Sequence, residues 1–240
     1  MNKESNTYTI IFSIILIIVV ASGLTLANVL LFPRQKKNQE IEKKSNILKS
    51  INIFCNRDSV EILYDKYIIN NFVINSLGEK IENKNAFIIN LKEELQKSAE
   101  KQIFPVFVAE DINGNIKYIF SLSGKGLWGE INGFVSTETD FNTIYGIVFN
   151  HASETPGLGD GIVERKFQSK FLGKKIFDDK LQFVDLKVIK NRKQENTKDV
   201  DALSGATLTS NGVQEMIKNC MSIYQKFIQQ QNNTDALLRL

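Results

Sequence analysis

Histidine and cysteine are almost absent from this sequence, and their scarcity excludes several kinds of site. The 240 residues include one histidine, His151, and two cysteines, Cys55 and Cys220. One histidine cannot build a histidine-based metal cluster, and two distant cysteines form no CxxC pair, so we predict no metal site. The cysteines are interpreted as two buried thiols, with a disulfide, which needs an oxidising compartment, as the alternative. For His151, a structural hydrogen bond is favoured over catalysis.

Strong net charge and low-complexity sequence are also lacking. Thirty Lys and Arg residues stand against 27 Asp and Glu residues, which gives a net charge of +3. The basic residues are scattered, so the composition gives no argument for nucleic acid binding. No Pro-rich or Gly/Ser-rich linker, internal repeat, Walker loop, Rossmann glycine pattern, Ser–His–Asp set or Cys–His set is found. The length fits one or two domains with ample apolar residues for a core.

Charged residues are missing from positions 5–33, and the run from Thr9 to Phe32 is almost wholly apolar. A bilayer core about 30 Å thick needs about 20 helical residues, so this run can span it with some tilt. A cleaved signal peptide would have a shorter apolar region followed by a small-residue cleavage site, but LLFPRQKK follows here. We therefore predict an uncleaved anchor in a lipid bilayer. The positive-inside rule, applied to residues 34–37, would place the large domain in the cytoplasm.

The remaining chain predicts an α+β fold with a single N-terminal transmembrane helix, a mostly antiparallel sheet and flanking helices. Asn113-Gly114 predicts the turn of a hairpin within PVFVAEDINGNIKYIFSL. Further strands are predicted at Phe134-Val135, Ile144–Phe149 and Leu181–Lys190. Helices are predicted at Gln35–Ser50, at Ala86–Glu100 and, with strong amphipathic spacing, directly after Ser210.

Two stretches rich in small residues follow strands of this predicted sheet. GKGLWGEINGF, residues 124–134, holds four glycines and the only tryptophan. It is either a wall that lets the backbone approach a flat ligand, or a bend between strands with Trp128 in the core. HASETPGLGDG, residues 151–161, contains a Pro156-Gly157 turn, the Glu154 carboxylate and the Thr155 hydroxyl.

A third stretch, DALSGATLTS at residues 201–210, stands where a helix is predicted to begin. Its hydroxyls and backbone N–H groups at a helix N-terminus would suit an anion such as phosphate. Alternatively, Thr209 or Ser210 merely caps the helix, and Asn211 with Gln214 could form a variant capping box. Spacing alone leaves both interpretations open.

Together these stretches resemble a known family. DALSGATLTS resembles the flavinylation motif Asp-x-x-Ser/Thr-Gly-Ala-Thr of periplasm-facing FMN-binding domains, and HASETPGLG resembles the ETPGLG turn that accompanies it. With GKGLWG and the N-terminal anchor, the chain is similar to the FMN-binding subunit, designated C, of the Na+-translocating NADH:quinone reductase. The resemblance divides the chain into an anchor at 1–34, a membrane-proximal helical and mixed part at 35–100, and an FMN-binding core at 101–240.

The resemblance also implies a covalent FMN, joined to Thr207 by a phosphoester, and no catalytic group beyond the flavin. A separate FMN transferase, with FAD as donor, would read the residues around that threonine, namely Asp201, Ser204, Gly205 and Ala206, with Thr209 beside them. The turn against the flavin would comprise Glu154, Thr155, Pro156, Gly157, Leu158 and Gly159. The opposite wall would comprise Gly126, Leu127 and Trp128.

The implied function is electron transfer between partner subunits toward quinone, coupled to Na+ export by the whole complex. The partners would be the other membrane, flavin and iron–sulfur subunits of the reductase. The family implies a single-pass protein of the bacterial inner membrane with its soluble domain on the periplasmic side, against the charge rule. Two alternatives remain: the flavin subunit, designated G, of an Rnf-type ferredoxin:NAD+ oxidoreductase, and a cofactor-free, membrane-anchored binding or scaffold protein.

Overall fold

The structure, a computed structural model, describes residues 6–178, 182–184, 188–189 and 199–238. The described residues fall into two units, one that ends at Lys43 and one that begins at Lys44. The domain boundaries predicted at residues 34 and 100 stay predictions.

The first unit is most of helix α1, Asn6–Ser50. Its large apolar residues between Ile10 and Phe32 are exposed on the protein. By length and composition, α1 is the one helix among the described residues that could cross a membrane. The polar helix predicted at Gln35–Ser50 is the continuation of this same helix, and its last turns belong to the second unit.

The second unit is built on an antiparallel sheet, which within the described ranges has six strands. In chain order these are β1 Ile68–Asn75, β2 Lys80–Ile81, β3 Ile103–Glu110, β4 Ile116–Lys125, β5 Glu130–Thr137 and β6 Ile144–His151. Their order across the sheet is β2-β1-β3-β4-β5-β6. Phe120 on β4 pairs with Val106 on β3 and with Val135 on β5, which fixes the central register. The predicted α+β fold with a mostly antiparallel sheet is confirmed.

Helices and a short second sheet complete this unit. The helices are α2 Val60–Tyr67, α3 Leu91–Leu95, α4 Arg165–Gln168 and α5 Thr207–Leu238. Short 3-10 helices lie at Arg57–Ser59, Ala86–Ile88, Ala99–Lys101, Gly159–Val163 and Ser169–Phe171. The short strands β7, Val188–Ile189, and β8, Val200–Asp201, pair in parallel.

Helix α5 packs across one face of the sheet, and the main core lies between them. Its apolar residues recur every three or four positions, so one stripe is buried, as the sequence predicts. That stripe includes Val213, Met216, Ile217, Cys220, Tyr224 and Phe227. The Tyr224 hydroxyl donates to the carbonyl of Pro105 at 3.0 Å, which satisfies its one polar atom inside the core.

The opposite face of the sheet is covered by the last turns of α1, where Ile47, Leu48 and Ile51 are buried. The Ser136 hydroxyl on β5 donates to the Ser50 carbonyl at 2.5 Å. A Cβ at Gly146 on β6 would collide with that same carbonyl, so the helix end approaches the strand backbone directly. Both faces of the central strands are therefore buried.

Three sequence predictions differ from the structure. The Ala86–Glu100 helix is broken into short turns, because the side chains of Asn85 and Asn90 accept from the N–H groups of Phe87 and Lys92 and start new turns. Helix α5 begins at Thr207, inside the small-residue stretch rather than after Ser210. Of the strand predicted at Leu181–Lys190, the structure has Val188–Ile189, and residues 181, 185–187 and 190 lie outside the described residues.

Both cysteines are free thiols, so the disulfide alternative is wrong. Cys220 is buried on α5, where its Sγ lies 3.3 Å from both the nitrogen and the carbonyl oxygen of Ser123 on β4. Burial raises the pKa of Cys220 to about 11, so the thiol is protonated and inert at neutral pH. Cys55 is only half-buried, so the prediction of two buried thiols holds for Cys220 alone.

Candidate functional site

The three small-residue stretches meet at one end of the sheet. The first forms the turn between β4 and β5, the second follows the end of β6, and the third leads into α5. Neighbouring antiparallel strands bring the β4–β5 turn and the end of β6 to the same edge, where Ile131 pairs with His151. Helix α5 starts beside them, because Gly212 packs its backbone against the carbonyl of Lys125.

Glu154 lies at the centre of this end and connects all three stretches. Its carboxylate accepts from the backbone N–H of Trp128 at 3.0 Å and from the Thr209 hydroxyl at 2.6 Å. The N–H groups of Leu127 and Gly129 are also directed at this carboxylate and help to lower its pKa. The residue is 5% exposed. One buried carboxylate thus binds the tip of the β4–β5 turn to the first turn of α5.

Burial alone would raise the pKa of Glu154, because it disfavours the charged form. The hydrogen bonds from Thr209 and from the backbone of Trp128, Gly129 and Leu127 outweigh this effect, and the pKa lies below its ordinary value. The group is therefore an ionised acceptor at neutral pH. His151 accepts from the Glu154 backbone N–H through Nδ1 at 3.1 Å, which is the structural hydrogen bond that the sequence favours.

Glycines provide the space that this carboxylate needs. A Cβ at Gly126 would collide with Glu154 Oε1, and a Cβ at Gly159 would lie 2.5 Å from Oε2 and 2.7 Å from Thr209 Oγ1. Real Cβ atoms do not approach so closely, so a larger residue at either position would displace the hydrogen-bonded groups. These glycines are required by close packing around Glu154 rather than by a turn.

The start of α5 is tied back to the preceding loop. The Leu203 N–H donates to Ser210 Oγ at 3.1 Å, and Gly205 has a left-handed φ of +76°, which favours glycine. Because the helix begins at Thr207, neither Thr209 nor Ser210 occupies the capping position, and that alternative is wrong. Gln214 accepts from the Val188 N–H at 2.9 Å, so the proposed capping box is wrong too.

Thr207 itself is exposed as the first residue of α5. At the same end of the sheet, three apolar side chains remain in solvent: Leu127 is 44% exposed, Trp128 67% and Leu158 44%. The alternative of Trp128 in the core is therefore wrong. A Cβ at Gly205 would lie 2.8 Å from Leu158 Cδ2, which brings the turn after β6 against the loop that precedes Thr207.

Two contacts of this site involve residues that the sequence reasoning missed. The Lys170 ammonium donates to the Asp201 carbonyl at 3.1 Å and anchors the strand that enters the third stretch. The Ser153 hydroxyl donates to the Trp128 carbonyl at 3.1 Å, and the Gly129 backbone leaves room for it.

Comparisons with known proteins agree with this arrangement. The FMN-binding domain family matches residues 126–222. The NqrC subunit of the Na(+)-translocating NADH-quinone reductase of Vibrio alginolyticus is 33% identical over 231 residues, which cover 89% of this chain and 89% of that protein. The chain belongs to this NqrC family. The resemblance that the three stretches carry is confirmed.

Solved structures of the NqrC family share the fold. The crystal structure from Parabacteroides distasonis is similar with a TM-score of 0.75 and 40% identity, covering 82% of this chain and 96% of that one. The crystal structure of Shewanella oneidensis NqrC has a TM-score of 0.71 and 26% identity, covering 82% of this chain and 99% of that one.

The residues at this end fit an FMN joined through its phosphate. An exposed hydroxyl, that of Thr207, stands at a helix N-terminus, where backbone N–H groups favour an anion. Exposed Leu and Trp side chains at the same end of the sheet offer apolar surface to a flat ring. Among the described residues, no group of three or more His, Cys, Asp or Glu could hold a metal ion.

Proposed function

We propose that this protein is the FMN-carrying electron-transfer subunit of a Na+-translocating NADH:quinone reductase. One observation carries the proposal: in a chain of the NqrC family, an exposed threonine starts α5 at the same end of the sheet as exposed Leu127, Trp128 and Leu158. When bound, the flavin supplies the redox chemistry, and the protein supplies attachment and orientation.

The attachment point that we propose is Thr207 Oγ1. This oxygen would form a bond to the flavin-side phosphorus of FAD, the bond from that phosphorus to AMP would break, and AMP would leave while the hydroxyl loses its proton. Among the described residues, no carboxylate or imidazole hydrogen bonds to the Thr207 side chain, and an unassisted hydroxyl is a poor nucleophile. This supports a base supplied from outside the chain, by a separate FMN transferase.

Each part of the site would then have a defined task. The first N–H groups of α5 have no acceptor within the helix, so they can stabilise a phosphate on Thr207 by about 0.3–1 kcal/mol or more. Leu127 and Trp128 on one side and Leu158 on the other offer apolar surface that would exclude water from the ring. Ser204, Gly205 and Ala206 lead the chain to the helix start and would be read by the transferase.

The membrane arrangement and the partners follow from the same proposal. Helix α1 would anchor the chain, and its apolar part, residues 5–33, has no charged residue. Ion pathways normally need buried polar or charged groups between several helices, so Na+ movement would be the task of other subunits. We propose that the Lys44–Leu240 unit lies on the periplasmic side of the bacterial inner membrane.

Thr207→Ala tests the attachment directly. We expect the wild-type chain, produced in a host with the transferase, to fluoresce in a denaturing gel and to carry the extra mass of FMN less one water. Thr207→Ala should show neither signal, whereas Thr139→Ala, an exposed threonine at the other end of the sheet, should match the wild type. A flavinylated Thr207→Ala chain would disprove the residue assignment, and an unmodified wild-type chain would disprove the function.

Two further measurements test the surroundings of the subunit. Gentle purification should recover other subunits of the Na+-translocating reductase, and recovery of ferredoxin:NAD+ oxidoreductase subunits instead would favour the Rnf-type alternative.

A reporter fused after Leu240 that is active only in the periplasm tests the topology. Activity of a cytoplasmic reporter at that position would contradict the proposed orientation.

A further inference from the structure

The β4–β5 turn is held to the rest of the protein in two different ways. Its base is packed against α5, where Cys220 contacts Ser123 and Gly212 contacts the carbonyl of Lys125. Its tip, Leu127–Gly129, extends beyond this contact. There the structure shows hydrogen bonds to the turn after β6. Backbone N–H groups of the tip are directed at the Glu154 carboxylate, and the Ser153 hydroxyl donates to the Trp128 carbonyl.

We propose that Glu154 is the positioning residue of the flavin site: its carboxylate shapes the site before any flavin arrives, by holding the Leu127–Gly129 tip against the first turn of α5. In this role Glu154 acts through the Trp128 backbone and the Thr209 hydroxyl, and it does not contact the ring. The inference rests on the proposed function only for the identity of the ligand, since the hydrogen bonds belong to this chain alone.

The geometry indicates that Glu154 positions the loop tip and does not contact the ligand itself. A carboxylate has about four acceptor sites. In Glu154 both oxygens are already engaged, Oε1 by the Trp128 N–H and Oε2 by the Thr209 hydroxyl, with two further backbone N–H groups directed at the same carboxylate. Only 5% of the residue is exposed, whereas the neighbouring Thr155, Pro156 and Leu158 are exposed.

The charge of this carboxylate is held by dipoles rather than by a cation. Among the residues that the structure describes, no lysine or arginine forms an ion pair with Glu154. Hydrogen bonds to an ionised acceptor are about twice as strong as neutral ones, so several convergent donors can fix a loop that has little packing. The lowered pKa of Glu154 agrees with a permanently ionised acceptor in this position.

The first test uses the full-length chain in detergent with Thr207→Val, which keeps every variant free of flavin. Glu154→Ala removes the acceptor. Glu154→Gln keeps a side chain of similar shape with one acceptor oxygen and no charge. We expect hydrogen exchange at the Leu127, Trp128 and Gly129 amides to rise about tenfold in the Ala variant and less in the Gln variant, because these donors lose a charged acceptor. Exchange of the Phe120 amide, in the centre of the sheet, should not change.

Glu164→Ala is the matched control, because Glu164 is exposed and its side chain makes no capping hydrogen bond at α4. Unchanged exchange at the tip in Glu154→Ala would overturn the inference. An equal rise throughout the sheet would also overturn it, because it would show a general loss of stability. If Glu154→Ala does not fold, Glu154→Gln decides: faster exchange confined to the tip supports the inference, and wild-type exchange there opposes it.

The second test measures the initial rate of FMN attachment to the purified Thr207-bearing chain by the transferase with FAD. We expect Glu154→Ala to react about tenfold more slowly, Glu154→Gln to recover most of the rate, and Glu164→Ala to match the wild type. Attachment to Glu154→Ala at the wild-type rate would contradict the positioning role. If the wild type accepts no flavin, the proposed function fails, while the exchange measurement still decides the role of Glu154.

Discussion

Two carboxylates are buried at opposite ends of the same sheet, and they are stabilised in different ways. Asp111, in the turn between β3 and β4, is 3% exposed, and Glu154 is 5% exposed. Strand β4 runs from one end to the other, and its ten residues separate them by about 30 Å. The pKa of each carboxylate lies below its ordinary value. Backbone hydrogen bonds lower the pKa of both, but a lysine contributes only at Asp111.

Asp111 has a buried cation beside it. Lys117 Nζ lies 3.3 Å from Asp111 Oδ2 and 2.7 Å from Glu138 Oε2, and the ammonium also stands 4.3 Å from the centre of the Tyr145 ring. The N–H groups of Asn113 and Asn115 donate to Asp111 Oδ1 at 2.8 and 2.9 Å. This cluster joins both turns at that end of the sheet, and the Lys117 ammonium offsets the buried charge of Asp111.

Glu154 has donors of the same backbone type but no cation among the residues that the structure describes. The difference shows what each end of the sheet is suited for. A cluster with a buried cation fixes two turns. A carboxylate held only by N–H and hydroxyl dipoles fixes a turn without placing a bulky lysine or arginine side chain where a flavin would have to enter.

The largest effect on the free energy of unfolding is expected when Lys117, the cation beside Asp111, is removed. Lys117→Met leaves the Asp111 carboxylate buried without its partner, and breaking a buried pair in this way costs about 3–5 kcal/mol of the free energy of unfolding. Burial alone would lower the pKa of Lys117, but Glu138 and Asp111 outweigh it and raise it, so the ammonium is charged. Urea denaturation of the full chain in detergent measures the loss.

Glu138→Gln is the control for this prediction. The Glu138 side chain is 41% exposed, so its pair with Lys117 is screened by solvent and its loss should cost under about 1 kcal/mol. If Lys117→Met also cost under about 1 kcal/mol, the amide donors alone would be enough to stabilise the buried charge of Asp111. That result would refute the contrast between Asp111, which has a cation, and Glu154, which has none among the described residues.

A smaller effect, confined to the other end, is expected for Gly159→Ala. The new Cβ would force Glu154 and Thr209 apart, and overpacking of this kind costs about 1–3 kcal/mol. The amount of covalent flavin per chain should fall with it. Gly114→Ala is the matched control: Gly114 has a φ of +80° and open space around it, so it should cost stability through backbone strain and leave flavin content unchanged. Normal flavin content in Gly159→Ala would contradict the packing argument.

Acid should weaken the end of the sheet that holds Asp111 in a defined pH window. Burial would raise the pKa of Asp111, but the Asn115 and Asn113 hydrogen bonds and Lys117 lower it to about 2. An unfolded aspartate has a pKa of about 3.9, so the stabilisation is present above about pH 4 and is lost as the pH falls toward 2. Unfolding free energies of wild type and Asp111→Asn should therefore converge over this window. A constant difference between them would contradict the shift.

Sequence reasoning recovered the features of the fold that depend on local pattern. The Asn113-Gly114 turn is where the alternating strands predict it, and Gly114 has the positive φ that such a turn needs. The buried stripe of α5 follows from helical spacing. The pattern failed at Ala86–Glu100, where apolar spacing is helical but the Asn85 and Asn90 side chains cap short turns instead.

The centre of the site could not be predicted from the sequence, because its contacts join distant positions. Glu154 meets Thr209 across 55 residues and Trp128 across 26. Motifs identified all three stretches, but no local signal says that a carboxylate in one is the acceptor for the other two. The same limit applies to Lys117, because its pairing with Asp111 and Glu138 depends on how the sheet places two turns.

The smallest effect on stability is expected at the most exposed part of the site. Trp128 is 67% exposed, so Trp128→Ala should change the free energy of unfolding by less than about 0.5 kcal/mol, since its backbone N–H still donates to Glu154. If its indole instead serves the flavin, the flavin fluorescence and its quenching by iodide should change while stability does not. A large loss of stability would show that the side chain belongs to the core. An unchanged flavin environment would show that the Glu154 hydrogen bond positions only backbone at this tip, and that Leu127 or Leu158 provides the apolar wall.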